Sequence, residues 1–513
     1  MARQTPLLLG IDCGNTVVKA ALFELNGREV AVHAENVSTQ QPAPGFTETD
    51  MDEHWQRCVK AIAGVLSKAG VAGTAIQSIG VSGHGNGLYL LDHDGQPLKA
   101  IQSMDTRAEA LVASGVLDEA AILPLNHQGI WAAQTPVLLR WLRQHKPELY
   151  RRIGTAFLCK DSVVHRLTGA RSSDFSDMSG CGLIDFGKGG YSDALLHAYG
   201  LDDARDWLPP LHQSTEVVGE VTAASAELTG LAAGTPVVAG LFDVVASALG
   251  SGVERTGQAS LIAGTWSINQ VIVEQPPKPG SVFMASTFDA NRFLAIESSA
   301  TSTANLEWFI REFCADESLR ARECGASVYQ IIAEELVEVA LPADLPLFHP
   351  YLYGAGQALH ARGGFYGVTG WHDRSAMLYA LFEGVVFGHR HHLDRLRAAG
   401  VRFDSVRLTG GGARSDYWAQ LFADVLDITI DTAEGSETGA LGAAIAAGVG
   451  AGCFADYAVG TAQMTRLSAR YQPRAEQRQF FERRYRFFRD LRTAMEPLWR
   501  DLAEFNQALT RTD

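Results

Sequence analysis

The sequence predicts an α/β protein made of two related domains. Three observations carry that expectation. The chain has 513 residues, more than one hydrophobic core supports, since single cores stop growing near roughly 250–300 residues. Short β-branched runs bounded by glycine alternate with segments of helical apolar period. One pattern also occurs twice, as an apolar strand, a tight Gly/Thr turn and a second strand. The first copy runs from Leu7 to Leu25 through Gly14-Asn15-Thr16, the second from Ala259 to Val273 through Gly264-Thr265. Two such hairpins, each opening one half of the chain, suit turns that close on a phosphate chain from opposite sides.

Taken in order, Leu7–Ile11, Thr16–Leu25 and Glu29–Val37 read as an antiparallel meander, with Asn26-Gly27 as a type I′ hairpin signal. Asp52–Lys68 is an amphipathic helix with Trp55, Val59, Ile62 and Val65 inward. Gln77–Ser82 is a strand running into Gly83-His84-Gly85-Asn86-Gly87, and a hairpin follows to Ile101. Residues 103–212 read as mostly helical, interrupted by the polar patch Ser172–Asp177. Gly234–Gly240 is a buried strand that leads into Leu241-Phe242-Asp243 and a small, apolar helix start.

Beyond the second hairpin, a helix begins near Thr303, and a loop-rich region covers His349–Gly356 and Arg362–Gly367. A long helix spans Ser375–Ala399, capped by Asp373 and stopped by Gly400. Strand Ser405–Leu408 meets Thr409-Gly410-Gly411-Gly412, followed by a helix over Tyr417–Leu426. Gly439–Gly448 is an Ala/Gly-rich helix made for close packing, and the last forty or so residues are polar and helical. The expected domains are 1–247, 248–470 and a C-terminal helical segment, 471–513, packing on the core.

Composition is that of a soluble globular protein, 46% hydrophobic and 20% charged. A net charge of −15 argues against a nucleic-acid partner, but glycine-rich loops still bind phosphate through backbone N–H groups. The seven cysteines include no Cys-x-x-Cys pair, so no zinc or thioredoxin-type motif is indicated. Their odd number suits a reducing cytoplasm. Leu7-Leu8-Leu9 is broken at once by Gly10-Ile11-Asp12, and no apolar run is long enough for a bilayer, so neither leader nor membrane is expected.

Asp243 is the acidic residue with the most pointed position. It stands where a strand gives way to a helix, at the positive end of the helix dipole and at a strand end, where α/β folds bind ligands. Residues 243 onward also fit plain helix capping. In the first turn, Gly14 permits a tight backbone, Thr16 adds a hydroxyl, Lys19 adds charge, and Asp12 suits Mg²⁺ held through water; a plain hairpin turn fits the same residues. His84 and Asn86 suit sugar hydroxyls, or a solvated loop. Walker, protein-kinase and dinucleotide fingerprints are absent from the sequence.

Asp12-x-Gly14-x-Thr16-x-x-Lys19, the Gly264-Thr265 turn, and Gly410-Gly411-Gly412-x-x-Ser415-x-x-Trp418-x-Gln420-x-x-Ala423-Asp424 together resemble the FGGY carbohydrate kinases. These are sugar kinases of the actin-like ATPase superfamily. The resemblance runs from about residue 7 to about residue 450. Within the family it is nearest to the pentulose branch of the L-xylulose kinase type, through Leu241–Val245, Gly264-Thr265-Trp266, Asn305–Phe309 and Glu437-Thr438-Gly439. The family's Trp-x-Asp-x-Arg is here Ser103-Met104-Asp105-Thr106-Arg107. The missing Trp argues against D-xylulose or glycerol as substrate. Asn86 stands where D-xylulose kinases have His and glycerol kinases have Glu.

The resemblance implies two actin-like (ribonuclease H-like) domains with a cleft between them, the first on the sugar and phosphate side and the second on the nucleotide side. It implies ATP-dependent phosphorylation of a primary hydroxyl of a ketopentose, with L-xylulose or a related ketose in front of D-xylulose, D-ribulose, erythritol or a keto sugar acid. Asp243 would be the general base and a ligand of Mg²⁺, with Asp12 holding the metal through water. Gly14, Asn15, Thr16, Lys19, Gly264, Thr265, Gly411, Gly412 and Asp416 would bind ATP. His84, Asn86, Asp105 and Asp243 would face the sugar. Partners are then the small-molecule sugar and ATP, and a homodimer is compatible with such enzymes. An actin-like ATP-switch protein is the non-enzyme alternative.

Overall fold

The computed structural model describes residues 6–337, 341, 344–354, 360–435 and 437–510. Ala355 and Gly356 of the loop-rich region, and the last three residues of the C-terminal segment, lie outside the described residues. The chain forms two compact units, each assembled from separated segments. One comprises Met1–Thr256, Ile272–Ala295 and Glu434–Arg466; the other comprises Gly257–Val271, Ile296–Ala433 and Leu467–Asp513.

The first unit is organised on a mixed sheet. Strand Leu7–Cys13 pairs antiparallel with Val17–Glu24, which pairs antiparallel with Glu29–Asn36. Its other edge pairs parallel with Ile76–Gly83, which continues to Pro236–Val238 and Val217–Glu220. The central strands are buried almost throughout, as parallel strands covered on both faces must be. Helix Met51–Ala69 covers one face with Trp55, Cys58, Ile62 and Val65. Asp50 caps it, accepting from the N–H groups of Asp52 and Glu53, and Gly70 ends it in a left-handed conformation. A four-stranded sheet, Glu48–Thr49, Pro97–Ile101, Leu88–Asp92 and Ile153–Phe157, forms a second layer with its own core around Leu88, Leu90, Leu138 and Leu196. Ile153–Phe157 lies within the span expected to be mostly helical. It is short and apolar, and pairing with Leu88–Asp92 buries it.

Residues 434–466, assigned by sequence to the 248–470 domain, belong by packing to this first unit. The reason is the size of the residues in helix Thr438–Gly450. A Cβ on Gly10 would come within 1.8 Å of Ala440 O, and one on Gly80 within 2.0 Å of Ala443 O. The same helix crosses Asp243–Gly250 so closely that a Cβ on Gly442 would reach 1.9 Å from Ala246 O. Glycine and alanine at these positions let backbones touch where larger residues would hold them apart.

The second unit repeats the strand plan. Gln258–Ala263 pairs antiparallel with Ser267–Val273 and parallel with Ser405–Gly410, which pairs parallel with Ile430–Ala433. Leu467–Tyr471 closes that edge antiparallel. The internal repeat read from the sequence is therefore a repeat of topology: a hairpin, then a parallel neighbour on its first strand. Helix Arg374–Ala398 is capped by Asp373, whose side chain accepts from Ala376 N–H, as the sequence indicates. Among the described residues, no helix is long and apolar enough to cross a membrane.

Candidate active site

In the first unit, the ends of strands Leu7–Cys13 and Ile76–Gly83 and the start of helix Asp243–Gly250 gather a set of acidic and polar groups. Ser82 Oγ donates to Asp12 Oδ1 at 2.8 Å. This pairing follows from register, because Asp12 and Ser82 are parallel-strand partners. Burial holds the Asp12 carboxyl above its ordinary range, and the nearby Glu437 adds to this, while the bond from Ser82 and the charge of Lys19 act the other way. Gly439 makes room for the carboxylate; a Cβ there would lie 2.5 Å from Asp12 Oδ2.

Asp243 is the first residue of its helix, after Phe242, whose side chain offers no cap. Asp243 Oδ1 is buried and has no hydrogen-bond partner among the described residues. Burial, with the charge of Asp12 second, pushes its pKa up to about 8, against a small opposing bond from Val244 N–H. A carboxylate so destabilised takes up a proton readily or attracts a cation.

The polar patch Ser172–Asp177, read only as an interruption, supports this corner. Asp174 caps helix Phe175–Gly180 and accepts from Ser176 Oγ at 2.6 Å. Ser176 Oγ in turn accepts from Phe242 N–H at 3.0 Å, fixing the residue before Asp243. Lys160, fully buried, lies 2.5 Å from Asp161 and 2.9 Å from Asp174. Asp177 is buried with neither oxygen hydrogen-bonded among the described residues, and burial raises its pKa well above the carboxylate range. No local spacing announces this cluster, because Lys160 reaches a different element.

His84 and Asn86 are both buried in their loop, not solvated. His84 Nε2 contacts Tyr89 OH at 3.1 Å, leaving Nδ1 without a partner among the described residues. Asn86 adopts φ 64°, a left-handed conformation that Asn tolerates, and its Oδ1 is likewise unpartnered. Buried polar atoms left unpaired in a ligand-free site are groups that a hydroxylated ligand would satisfy.

Other candidates already have partners. Asp105 accepts from Thr47 N–H at 2.6 Å and from the Arg107 guanidinium at 2.8 Å on each oxygen, so its carboxylate is fully engaged inside the fold. Lys19 lies 2.8 Å from Glu437 Oε2. Asn15 donates to Ser103 Oγ at 2.9 Å, and its carbonyl accepts from Gln102 at 2.7 Å. Gly14 N–H closes the turn on Val17 O at 3.0 Å, and Thr16 is exposed.

In the second unit, the Gly264-Thr265 turn sits against the start of helix Thr303–Phe313. Thr303 N–H donates to Gly264 O at 2.9 Å and Ser302 N–H to Thr265 O at 3.0 Å. Sequence reasoning missed the support beneath. His389 Nδ1 lies 2.7 Å from Asn269 Oδ1 and Nε2 lies 3.0 Å from Ser302 Oγ. Gly410, at φ 79°, turns the strand into Gly411–Arg414, where Gly411 is exposed and Gly412 buried against Ala263. Asp416, exposed, accepts from Tyr471 OH at 2.6 Å.

Comparison with known proteins agrees with this chemistry. Residues 7–250 match the FGGY family of carbohydrate kinases, N-terminal domain, and residues 259–451 match its C-terminal domain. The chain is 35% identical over 499 residues to the L-xylulose/3-keto-L-gulonate kinase of Escherichia coli, covering 96% of this chain and 98% of that one. It is 30% identical to an autoinducer-2 kinase of an Enterobacter species, covering 93% of this chain and 92% of that one. The crystal structure of xylulose kinase from Rhodospirillum rubrum superposes with TM-score 0.86 at 27% identity, covering 96% of this chain and all of that one.

Proposed function

The chain belongs to the FGGY family of carbohydrate kinases and is a sugar kinase; we propose that its acceptor is a primary hydroxyl of a ketopentose, L-xylulose or a close relative, with Asp243 as the general base. The observation that carries this reading is the state of Asp243: half-buried at a helix start, one oxygen buried and unpaired, its pKa raised to about 8. Alcohols are poor nucleophiles at neutral pH. A positioned base that takes the hydroxyl proton as the oxygen attacks the γ-phosphorus contributes roughly 10²–10⁴-fold. The rest of the acceleration comes from alignment of acceptor and phosphate and from charge stabilisation.

ATP is the phosphate donor. In this proposal, the first unit carries the sugar and the phosphate turn, and the second unit the nucleotide through Gly264, Thr265, Gly411, Gly412 and Asp416. The residues present fit Mg²⁺. Asp12 and Asp243 are hard oxygen donors, and the charge of Asp12 raises the cost of ionising Asp243, a conflict that a cation relieves. When bound, the ion would neutralise phosphate charge. Asp243 would then work as a base nearer neutral pH than its ligand-free state allows. His84 Nδ1 and Asn86 Oδ1 would pair with sugar hydroxyls. Asp105 acts in this reading as a positioning residue through Arg107, since its own oxygens are taken. The same reading puts the protein in the cytoplasm.

The test is ADP release with a panel of ketopentoses, keto sugar acids and polyols. Preference for L-xylulose by at least about tenfold in kcat/KM supports the proposal, that factor being about 1.4 kcal/mol of discrimination. Preference for a keto acid moves the substrate to the second activity in the name of the Escherichia coli relative. Asp243→Ala must abolish sugar-dependent ADP release; unchanged turnover would remove the base assignment.

A further inference from the structure

Three of the seven scattered cysteines, none at motif spacing in the sequence, converge in the first unit. Cys13, His54 and Cys58 present ligand atoms that all lie within 4.8 Å of one another. Cys159 Sγ is 3.8 Å from His54 Nε2 and donates to Cys13 O at 3.8 Å. All four side chains are buried. They come from three elements: Cys13 ends the strand that carries Asp12, His54 and Cys58 are one turn apart on helix Met51–Ala69, and Cys159 opens helix Cys159–Thr168.

We propose that Cys13, His54, Cys58 and Cys159 form a Cys₃His site for a thiophilic divalent ion of the zinc class. Zinc bonds of about 2.3 Å to sulfur and about 2.0 Å to nitrogen set tetrahedral ligand atoms roughly 3.5–3.8 Å apart. The Cys13, His54 and Cys58 ligand atoms, within 4.8 Å of one another, reach that spacing by closing up by about 1 Å, and Cys159, 3.8 Å from His54, completes the set from its helix. Binding converts three thiols to thiolates and releases their three protons to solvent, while His54 stays neutral and bonds through one ring nitrogen. Tyr89 OH, which contacts both Cys159 and His84 Nε2, is the outer partner such sites employ.

The consequence is positional. Cys13 O accepts from His84 N–H at 3.0 Å, so the site lies directly beneath the His84–Asn86 loop. An ion there pins the strand of Asp12, both helices and that loop to one another. Because the site is buried, it fills during folding and exchanges slowly afterward.

The test uses the full-length chain, dialysed against chelator and analysed for metal, and separately unfolded and refolded with Zn²⁺ or Co²⁺. The expected result is about one zinc per folded chain and, with cobalt, a thiolate-to-metal charge-transfer band in the near ultraviolet. Cys58→Ser and Cys159→Ser should lower bound metal at least about tenfold, while Cys314→Ser, outside the cluster, retains it. Wild-type chain that refolds by circular dichroism yet shows neither zinc nor the cobalt band overturns the proposal. So does a folded Cys58→Ser variant that binds as wild type does. Should the serine variants fail to fold, the wild-type cobalt spectrum alone decides.

Discussion

Ser82 Oγ donates to Asp12 Oδ1 at 2.8 Å across two parallel strands. This bond opposes the burial that pushes the Asp12 carboxyl toward its neutral form. Ser82→Ala should therefore leave Asp12 less readily ionised and, in the role proposed for it, a weaker holder of Mg²⁺. We expect the Mg²⁺ concentration for half-maximal rate to rise roughly 10-fold, as for other loss of support behind a metal ligand. At saturating Mg²⁺, kcat should fall by less than about threefold, because Asp243, the proposed base, is untouched. Initial rates across a Mg²⁺ titration check this.

Asp243 must be ionised to accept a proton, and in the ligand-free site its pKa stands at about 8. The kcat/KM for ATP, which reports enzyme before the nucleotide binds, should fall below that pH and reach its plateau above it. Asp12 is the second cause of the shift, so Asp12→Asn removes a repulsive charge and the inflection should move to lower pH. Its plateau should drop by about 10²-fold, as charge stabilisation at the phosphates is lost. An inflection that stays in place would show that Asp12 and Asp243 do not interact.

The same shift has a cost in stability. An acid whose folded pKa is raised destabilises the native state progressively as pH climbs from its unfolded value to its folded one. For Asp243 that window runs from 3.8 to about 8. Asp243→Asn cannot ionise, so it should melt at the wild-type temperature below about pH 4 and above it at pH 8. Discounted for partial exposure to solvent, the gain is about 1–3 kcal/mol. Differential scanning fluorimetry across that pH range measures it, and sugar-dependent turnover should be lost in the same variant.

Much of the fold was legible because it is written locally. The apolar run of Leu7–Cys13, the alternation in Val17–Glu24, the amphipathic stripe of the first long helix and the Asp373 cap need only neighbours within a few residues. Short motifs made the candidate residues visible: Asp12 and Gly14 in one turn, Gly264 and Thr265 in the other. What escaped depends on partners far apart in the chain. Ser82 meets Asp12 across 70 residues, and His389 meets Asn269 across 120. Asp105 is a different case. Its motif was readable, but the adjacent Arg107 takes up both oxygens, which spacing alone does not reveal. The cysteines failed in the same way as His389, since Cys13 and Cys159 are brought together only by packing.

His389 gives the last prediction. Its ring is fully buried, and that burial, with His392 second, pushes its pKa down to about 3, so it is neutral at any working pH. Asn269 Oδ1 can only accept, so Nδ1 carries the proton and donates at 2.7 Å; Nε2 then accepts from Ser302 Oγ at 3.0 Å. Ser302 passes the constraint on, because its N–H donates to Thr265 O. His389→Phe keeps a ring but strands the Asn269 oxygen and the Ser302 hydroxyl, at a cost of about 2–4 kcal/mol. It should loosen the Thr265 turn and raise the KM for ATP roughly 10-fold, with the sugar KM changed by less than about twofold. His389→Gln can still donate to Asn269 and should recover part of the ATP affinity. Equal changes in both KM values would mean that His389 supports the unit as a whole and has no particular hold on the turn.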